Sequence, residues 1–309
     1  MSRSTPDPIY VLRGTDSPVA YLKFIDIDNL LSGSYNGTIY IWCMDSKRIK
    51  YKISAHPDTS VLYCECIDKS CVITQGRSGV IKKWMITESE WKETGTLQCL
   101  EMGFCRCCII NNRTLAAPSS ITSEVIVYDL DTLKVISQLS PDSSNGKLGM
   151  CMNIKNGDGN IDERRILIGY EDGSIALWDL RNKKIVDKLK VHHDSVMCLD
   201  YSPDINKGFS GSVNEEIKSW TICENKLSEL SSVQTTNDGF NDVIIRSDGK
   251  ILATAGWDGN IRVFGTKRLK PLAVLDYHKE SVQCLTFSED NILACGSKDT
   301  LISLWNIYN

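Results

Sequence analysis

Short apolar strand patterns, repeated seven times, dominate the distribution of hydrophobic residues along this 309-residue chain. In each repeat an apolar strand leads to small residues, a turn, and a β-branched run that ends in an aromatic side chain. The aromatic positions are Trp42, Trp84, Tyr128, Trp178, Trp220, Phe264 and Trp305. Successive positions are 41 to 50 residues apart, close to the period of about 40–45 residues of a four-stranded propeller blade. The pattern therefore predicts an all-β chain that forms a seven-bladed β-propeller.

Tight turns join the second and third strands of several repeats. The dipeptides Asn36-Gly37, Asp172-Gly173 and Asp258-Gly259 stand between a small-residue strand and the aromatic strand. Asn, Asp and Gly tolerate the positive φ angles that two-residue hairpin turns require. Because no helical periodicity occurs between the strands, we expect short turns and no crossover helices.

The two ends of the chain complement each other. The last repeat stops after three strands, the third of which ends at Ile307, and a fourth strand is available in Ile9–Leu12. Pairing of these ends would close the propeller and leave only short, protected edges. We therefore expect a single propeller over residues 9–309, closed by an N-terminal strand that joins the C-terminal blade, after a short tail at residues 1–8.

Charge and hydropathy restrict the kind of partner. The net charge is −4 and the basic residues are dispersed, whereas nucleic-acid binders cluster them. The pairs Lys82-Lys83 and Lys183-Lys184 are interpreted as solvated strand ends or turns. No apolar run approaches the ~20 residues of a membrane-spanning helix, and Met1–Pro8 lacks the apolar core of a signal peptide. We expect a cytoplasmic protein, a nuclear protein or both, with no direct contact to nucleic acid or membrane.

Few groupings of residues are suited to chemistry. The chain has 13 cysteines, and the run Cys105–Cys108 suggests a metal, but Cys107 and Cys108 would point to opposite faces of an extended strand. The segment Asn156–Glu163 suggests a calcium loop, but such a loop would begin at Ile154 and end at Arg165, where carboxylates are required, so the segment is interpreted as a flexible loop. Neither a phosphate-binding glycine motif nor a local Cys/His hydrolase signature occurs. We expect no cofactor, no metal and no enzymatic activity.

The repeats resemble the WD-repeat family. Trp178-Asp179 is the one intact form of the dipeptide that names the family, and His56, His193 and His278 stand where histidines are expected between blades. In this family a His, a Ser or Thr, a turn Asp and the strand Trp form one hydrogen-bonded set. The resemblance implies a structural use of these three histidines.

Some repeats depart from that set. Repeat seven carries Cys295 where the hydroxyl residue is expected beside His278, Asp299 and Trp305. Repeat six has Phe264 in place of tryptophan and no suitable histidine. Such departures weaken the match of individual repeats but leave the number of repeats unchanged.

Longer stretches resemble a narrower family, that of the guanine nucleotide-binding protein β-subunit-like proteins, which includes the fungal ASTRA-associated proteins. The resemblance runs from about residue 6 to the C-terminus. It implies a non-catalytic adaptor of the TTT co-chaperone system, which supports the assembly and stability of phosphatidylinositol 3-kinase-related kinases. The stretches that carry it are Pro6–Thr15, Gly103–Arg106, Lys147–Met150, Gly169–Asp179, Lys250–Asp258, Pro271–Leu275 and Ala294–Tyr308.

A G-protein γ subunit is not an expected partner, despite the family name. G-protein β subunits hold γ partly through an N-terminal coiled-coil helix of several heptads. The strand pattern here begins at Ile9, and the eight residues before it are too few for a stable helix. We expect the protein to be monomeric on its own.

Candidate contact residues stand just before the turn that joins the second and third strands. Aromatic residues and Arg are enriched in binding hot spots. Two interpretations of Trp257 stay open, contact with a partner or packing across the neighbouring blade. The candidates are Tyr35, Arg77, Trp257 and Lys298, with Tyr170 beside the turn of repeat four.

Three hypotheses about function follow. The first is a scaffold that serves kinase maturation, with TTT subunits and the kinases as partners. The second is an adaptor of another assembly, such as a chromatin complex or a ubiquitin ligase. The third is an enzyme with a propeller pocket, for which four histidines, three of them assigned to blade structure, are a thin supply.

Overall fold

The computed structural model describes residues 6–68, 70–87, 90–99, 103–111, 113–157 and 165–307. These residues form strands and turns, with one 3-10 turn at Ser143–Asn145. The strands make seven four-stranded sheets, which confirms the predicted fold class, an all-β protein with seven propeller blades. Most of the loop expected at Asn156–Glu163 lies outside the described residues.

Twenty-eight strands are present in the described part of the chain. In chain order they are β1 (Tyr10–Leu12), β2 (Val19–Phe24), β3 (Asn29–Ser34), β4 (Thr38–Cys43), β5 (Arg48–Ser54), β6 (Val61–Asp68), β7 (Cys71–Gly76), β8 (Val80–Ile86), β9 (Trp91–Gln98), β10 (Cys108–Asn111), β11 (Thr114–Pro118), β12 (Val125–Asp129), β13 (Val135–Leu139), β14 (Cys151–Asn156), β15 (Arg165–Tyr170), β16 (Ser174–Asp179), β17 (Lys184–Lys190), β18 (Cys198–Ser202), β19 (Lys207–Gly211), β20 (Glu216–Cys223), β21 (Lys226–Gln234), β22 (Phe240–Ile245), β23 (Ile251–Gly256), β24 (Asn260–Gly265), β25 (Lys270–Asp276), β26 (Val282–Phe287), β27 (Ile292–Ser297) and β28 (Ile302–Asn306). Blade one is β2–β5, each later blade takes the next four strands, and blade seven is β26–β28 with β1.

The chain divides into two compact units. The first takes in the described residues up to Arg77, residues 83–92 and those from Phe240 onward. The second takes in residues 78–82 and the described residues from Glu93 to Gly239. A single domain over residues 9–309 therefore stays a prediction.

The predicted closing strand is confirmed within the first unit. Strand β1 pairs antiparallel with β28, so that Tyr10 lies opposite Leu304 and Leu12 lies opposite Ile302. The fourth strand of blade seven thus comes from the N-terminal end of the chain, as the sequence predicted. This pairing covers what would otherwise be the open edge of β28.

Burial differs between strands in a way that explains the sequence pattern. The outer strands β5 and β17 alternate between exposed and half-buried residues, as a strand with one solvated face does. The third strands β4 and β16 are buried on both faces, which is why they read as continuous apolar runs. Their aromatic residues Trp42 and Trp178 lie at the centre of apolar clusters.

A β-bulge accompanies the third-strand aromatic residue in several blades. The register between third and fourth strands shifts at Trp42, Trp178, Trp220 and Phe264, where the outer strand inserts one extra residue. A bulge bends its strand and increases the local twist. The same irregularity therefore recurs at the same place, as expected for structural repeats of one unit.

In blade two the histidine, the hydroxyl residue and the tryptophan of the set meet at a threonine, while Ser78 stands where the turn aspartate is expected. The Nε1–H of Trp84 donates to the Oγ1 of Thr74 at 2.9 Å, and this hydroxyl lies 2.8 Å from the Nε2 of His56. Both His56 and Thr74 are buried. The structural use expected for His56 is therefore what the structure shows.

Blade seven forms the same set with a different hydroxyl. Ser303, on the aromatic strand itself, accepts from the Nε1–H of Trp305 at 2.8 Å and lies 2.7 Å from the Nε2 of His278. The Nδ1 of His278 lies 2.9 Å from Asp299. Cys295 therefore leaves no gap in the set. A hydroxyl two residues before the tryptophan, on the same strand, also lies within reach of the indole.

The histidine of blade five is His192, and the expectation of His193 was wrong. The backbone N–H groups of Val191 and His192 both donate to the carbonyl of Gly173, as Ala55 and His56 do to Gly37 in the corresponding turn. The Nε2 of His192 lies 2.9 Å from the Oγ of Ser210, whereas the side chain of His193 is 93% exposed. Two adjacent histidines look equivalent in the sequence. The backbone hydrogen bonds of this turn show which of the two is buried.

Blade six replaces the missing histidine with an arginine. The guanidinium of Arg262 donates from Nη1 and Nη2 to the two carboxylate oxygens of Asp258, at 3.1 and 2.7 Å. Arg262 is buried, whereas the side chain of Asp258 is 32% exposed, so the pair is only partly shielded from solvent. Although burial acts to raise the pKa of Asp258, hydrogen bonds from Arg262 and Asn260 hold it below its ordinary value.

Replacing Ser303 with alanine should destabilise the protein more than the same change at Ser32. Ser303→Ala leaves the Nε1–H of Trp305 and the Nε2 of His278 without their buried partner, a loss of about 2–4 kcal/mol. Ser32→Ala is the matched control, because the hydroxyl of Ser32 has one described hydrogen bond, from the indole of Trp42 at 2.9 Å. We expect this change to lower the free energy of unfolding by about 1–2 kcal/mol. Urea unfolding of both variants measures the difference, and equal losses would contradict the shared role of Ser303.

Stability should fall with acidification through His192. Burial and the nearby charge of Lys218 lower the pKa of this histidine to about 4, whereas an unfolded histidine titrates near 6.5. The folded form therefore binds fewer protons than the unfolded form in this range, and stability present above about pH 6.5 is lost as the pH falls towards 4, by about 3 kcal/mol in total.

His192→Gln should remove this component, because glutamine does not titrate. Urea midpoints of the parent, His192→Gln and the exposed control His193→Gln, measured between about pH 7 and pH 4, provide the test. The control should follow the parent. A His192→Gln variant that loses as much stability on acidification as the parent would show that another group is responsible.

Candidate protein-binding surface

Three of the candidate residues occupy one structural position. The backbone N–H of Tyr35 donates to the carbonyl of Pro18 at 2.9 Å, and Lys298 makes the corresponding bond to Ser281 at 3.0 Å. Arg77 makes it in blade two. Each bond ties the turn after the second strand to the residue that precedes the first strand of the same blade. The turn residues are thus held at the surface by the backbone.

Trp257 is anchored at one edge and exposed on the rest of its ring. Its Nε1–H donates to the Oδ1 of Asn241 at 2.9 Å, and the side chain is 40% exposed. The amide of Asn241 in turn donates to the Oγ of Ser281 at 2.8 Å and to the carbonyl of Val282 at 2.7 Å. The indole is therefore fixed in orientation while much of its surface stays in solvent.

Tyr35 reaches the same serine from another blade. Its hydroxyl donates to the Oε1 of Gln283 at 2.7 Å, and the Nε2 of Gln283 donates to the Oγ of Ser281 at 2.9 Å. Side chains of blades one, six and seven, all in the first unit, are thus linked through one hydroxyl. We call this set the Trp257 surface; it consists of Tyr35, Asn241, Trp257, Ser281, Gln283 and Lys298.

The supporting residues Asn241 and Gln283 were missed by reasoning from sequence. Each is the extra residue of a β-bulge near the start of the first strand, where Phe240 and Val282 are paired but the next residue is not. A bulge re-aims the side chain of its extra residue. The available signal was the polar character of Gln283 between Val282 and Cys284 and of Asn241 after Phe240. A strictly alternating strand pattern does not predict which side chains these residues contact.

The charges near the Trp257 surface are of both signs. Lys298 is exposed and follows directly after β27, while Asp299 next to it is engaged by His278. Burial acts to raise the pKa of Asp299, but the hydrogen bond and charge of His278 hold it below its ordinary value. Lys298 is therefore the available charge at this turn, beside a carboxylate that is already paired.

Arg77 and Tyr170 differ from each other in exposure. Arg77 is half-buried, and its Nε is shielded from solvent. Tyr170 is fully buried, so the expectation that it is displayed for contact was wrong. Its hydroxyl accepts from the Nε1–H of Trp178 at 3.1 Å and lies 3.4 Å from the carbonyl of Ser123. Burial raises the pKa of Tyr170 well above its ordinary value, so the hydroxyl keeps its proton. It serves as the hydroxyl of the blade-four set.

The Ser303, His278 and Asp299 side chains have the connectivity of a Ser–His–Asp hydrolase triad. Ser303 and His278 are buried, and the Ser303 oxygen already accepts the Trp305 indole N–H. A substrate carbonyl has no approach to this oxygen. The set therefore stabilises blade seven and is not arranged as an active site.

The part of the chain that the structure describes holds neither a cluster of metal-ligating side chains nor a membrane-spanning helix. Groups of three or more His, Cys, Asp or Glu side chains placed to hold an ion do not occur there. None of the helical segments described is long and apolar enough to cross a membrane.

Two family models match parts of the chain. The WD domain, G-beta repeat model matches residues 6–43, 228–265 and 269–306. The Anaphase-promoting complex subunit 4 WD40 domain model matches residues 110–204. Both are WD40 models, in agreement with the blades described above.

Relatives that match over nearly the whole chain indicate a narrower family. The chain is 34% identical to the Guanine nucleotide-binding protein subunit beta-like protein 1 of Mus musculus, over 98% of this chain and 97% of that protein. It is 28% identical to the ASTRA-associated protein 1 of Schizosaccharomyces pombe, over 98% of this chain and 99% of that protein. The protein of the same name from Yarrowia lipolytica is 21% identical, over 98% and 94%. The chain therefore belongs to the WD-repeat protein family that contains the beta-like protein 1 of Mus musculus and the fungal ASTRA-associated protein 1.

Proposed function

We propose that this protein is a non-catalytic adaptor that binds partner proteins through the Trp257 surface. The observation that carries the proposal is the half-exposed indole of Trp257, held by a hydrogen-bonded network that spans three blades. Tryptophan is the residue type most enriched in binding hot spots. An aromatic side chain fixed before binding loses little conformational entropy when a partner covers it.

The proposed assembly is the TTT co-chaperone system, in support of phosphatidylinositol 3-kinase-related kinases. The relation to ASTRA-associated protein 1 over nearly the whole of both chains supports an adaptor of this kind. We place the protein in the cytoplasm, the nucleus or both. No disulfide joins the 13 cysteines, as is usual for proteins of these reducing compartments.

Trp257→Ala should weaken binding to purified TTT co-chaperone by about 10- to 30-fold in Kd, because a hot-spot aromatic contributes about 1.4–2 kcal/mol or more. Asn241→Ala should weaken binding by less, since the indole remains but loses its anchor. Val274→Ser is the matched control, as its side chain is 43% exposed on the outer strand β25 of the same unit. Calorimetric titration of the three variants against the parent measures these effects.

Two results would contradict the proposal. A folded Trp257→Ala variant that binds as tightly as the parent would exclude the Trp257 surface. A parent protein that does not bind TTT, but in affinity purification holds subunits of a chromatin complex or a ubiquitin ligase, would instead support an adaptor of that other assembly.

A further inference from the structure

A small apolar cavity lies in the second unit, beside the turn that joins β11 and β12. It measures about 160 Å³ and is bordered by the segment before β10, by this turn and by the start of β14. Pockets for drug-sized molecules measure about 300–1,000 Å³. The cavity therefore has room for one large side chain of a partner rather than for such a molecule.

The rim of this cavity is apolar and solvated. Phe104, Ile121 and Met150 border it and are 60%, 57% and 48% exposed. Exposed apolar side chains that stand together indicate an interaction site, whereas isolated ones need no explanation. Gly103–Arg106 and Lys147–Met150, two stretches that carry the family resemblance but hold no blade aromatic residue, meet here.

The turn that forms one wall is held by the core of blade four. The Oγ of Ser123 donates to the carbonyl of Gly149 at 2.5 Å. The carbonyl of Ser123 accepts from the buried hydroxyl of Tyr170, at 3.4 Å. The backbone N–H of Ser119 also donates to the carbonyl of Glu124, which closes the turn on itself. The wall is thus in place before any partner arrives.

The opposite wall is held by Glu171. Its Oε2 accepts from the backbone N–H of Met150 at 2.9 Å, and its own N–H donates back to the Met150 carbonyl at 2.9 Å. Gly149 has a φ of +74°, and a Cβ there would lie 2.6 Å from the same carboxylate oxygen. These constraints fix the Met150 side chain at the rim. Met152, the extra residue of a bulge at the start of β14, also borders the cavity.

One carboxylate stands among these apolar groups. Of the described residues that border the cavity, Glu124 is the charged one. Its Oε2 accepts from the Nε2 of Gln138 at 2.6 Å, and a carboxylate has further acceptor positions. The adjoining cavity shares Thr122–Glu124 as its wall and adds Asp142 and Lys147, whose charges offset each other. The apolar cavity therefore has one carboxylate at its edge.

We propose that this cavity, which we call the Phe104 pocket, binds an extended segment of a partner protein that carries a large apolar side chain next to an Arg or Lys. The apolar side chain fills the pocket between Phe104, Ile121 and Met150. The basic side chain pairs with Glu124. This site is separate from the Trp257 surface, so Trp257→Ala leaves it unaffected.

Methionine methyl groups allow the pocket to be observed in the full chain, which contains seven methionines. The chain is labelled with ¹³C at the methionine methyl groups and titrated with the peptide acetyl-Ser-Phe-Arg-Ser-amide to millimolar concentration. We expect the Met150 and Met152 signals to shift. The peptide acetyl-Ser-Phe-Glu-Ser-amide should shift both signals less at the same concentration, and acetyl-Ser-Ser-Arg-Ser-amide should leave them in place.

Variants test the apolar contact and the ion pair separately. Glu124→Gln should weaken binding of the Phe-Arg peptide by about two- to fivefold in Kd, as expected for a partly exposed ion pair. Phe104→Ser should abolish the shifts. Val135→Ser, at an equally exposed residue of β13 that does not border the pocket, should bind like the parent.

Three outcomes would overturn the proposal. They are no shift of Met150 and Met152 at millimolar peptide, equal shifts with the Phe-Glu peptide, and unchanged binding by Phe104→Ser. Unfolding midpoints equal to that of the parent show that Glu124→Gln and Phe104→Ser are folded. Because both residues are at the surface, neither change removes core packing.

Discussion

The pairing of a buried third-strand indole N–H with a hydroxyl is the interaction on which four of the seven blades depend. A buried polar group without a partner costs about 1–3 kcal/mol, so a hydroxyl within reach of the ring nitrogen stabilises the blade. Blade five lacks it, since the Nε1 of Trp220 is buried with no hydrogen-bond partner. Thr74 meets this need in blade two and Ser32 in blade one. Ser303 meets it from the tryptophan's own strand in blade seven, and Tyr170 in blade four. The requirement is for an oxygen at one point in space, and several sequence positions can supply it.

This freedom explains why the repeats look degenerate while the blades are regular. A consensus compares residues at fixed offsets, whereas a hydrogen bond depends only on where two atoms lie. The same reasoning applies to charge, since Arg262 pairs with the turn aspartate Asp258 where another blade uses His278. Each substitution keeps the buried group satisfied, so the fold persists when the motif does not.

Bulges near the start of the first strands connect this framework to recognition. The extra residue is Asn241 in blade six, Gln283 in blade seven and Met152 in blade four. The first two are polar and support the Trp257 surface, while the third borders the Phe104 pocket. One backbone irregularity thus places different chemistry at the surface of different blades without disturbing the core. Blades that share one backbone can present different contacts in this way.

The sequence alone determined the number of blades, the order of strands and the closing pair of β1 with β28. Each of these features follows from the regular spacing of residue types, which can be read along the chain without a structure. It also identified Trp257, Tyr35 and Lys298 as turn residues. The tertiary structure decided that His192 and not His193 is buried, that Tyr170 supports a wall instead of meeting a partner, and that Ser281 joins three blades. These outcomes depend on register and on contacts between residues distant in the chain, which the spacing of residues along one strand does not encode.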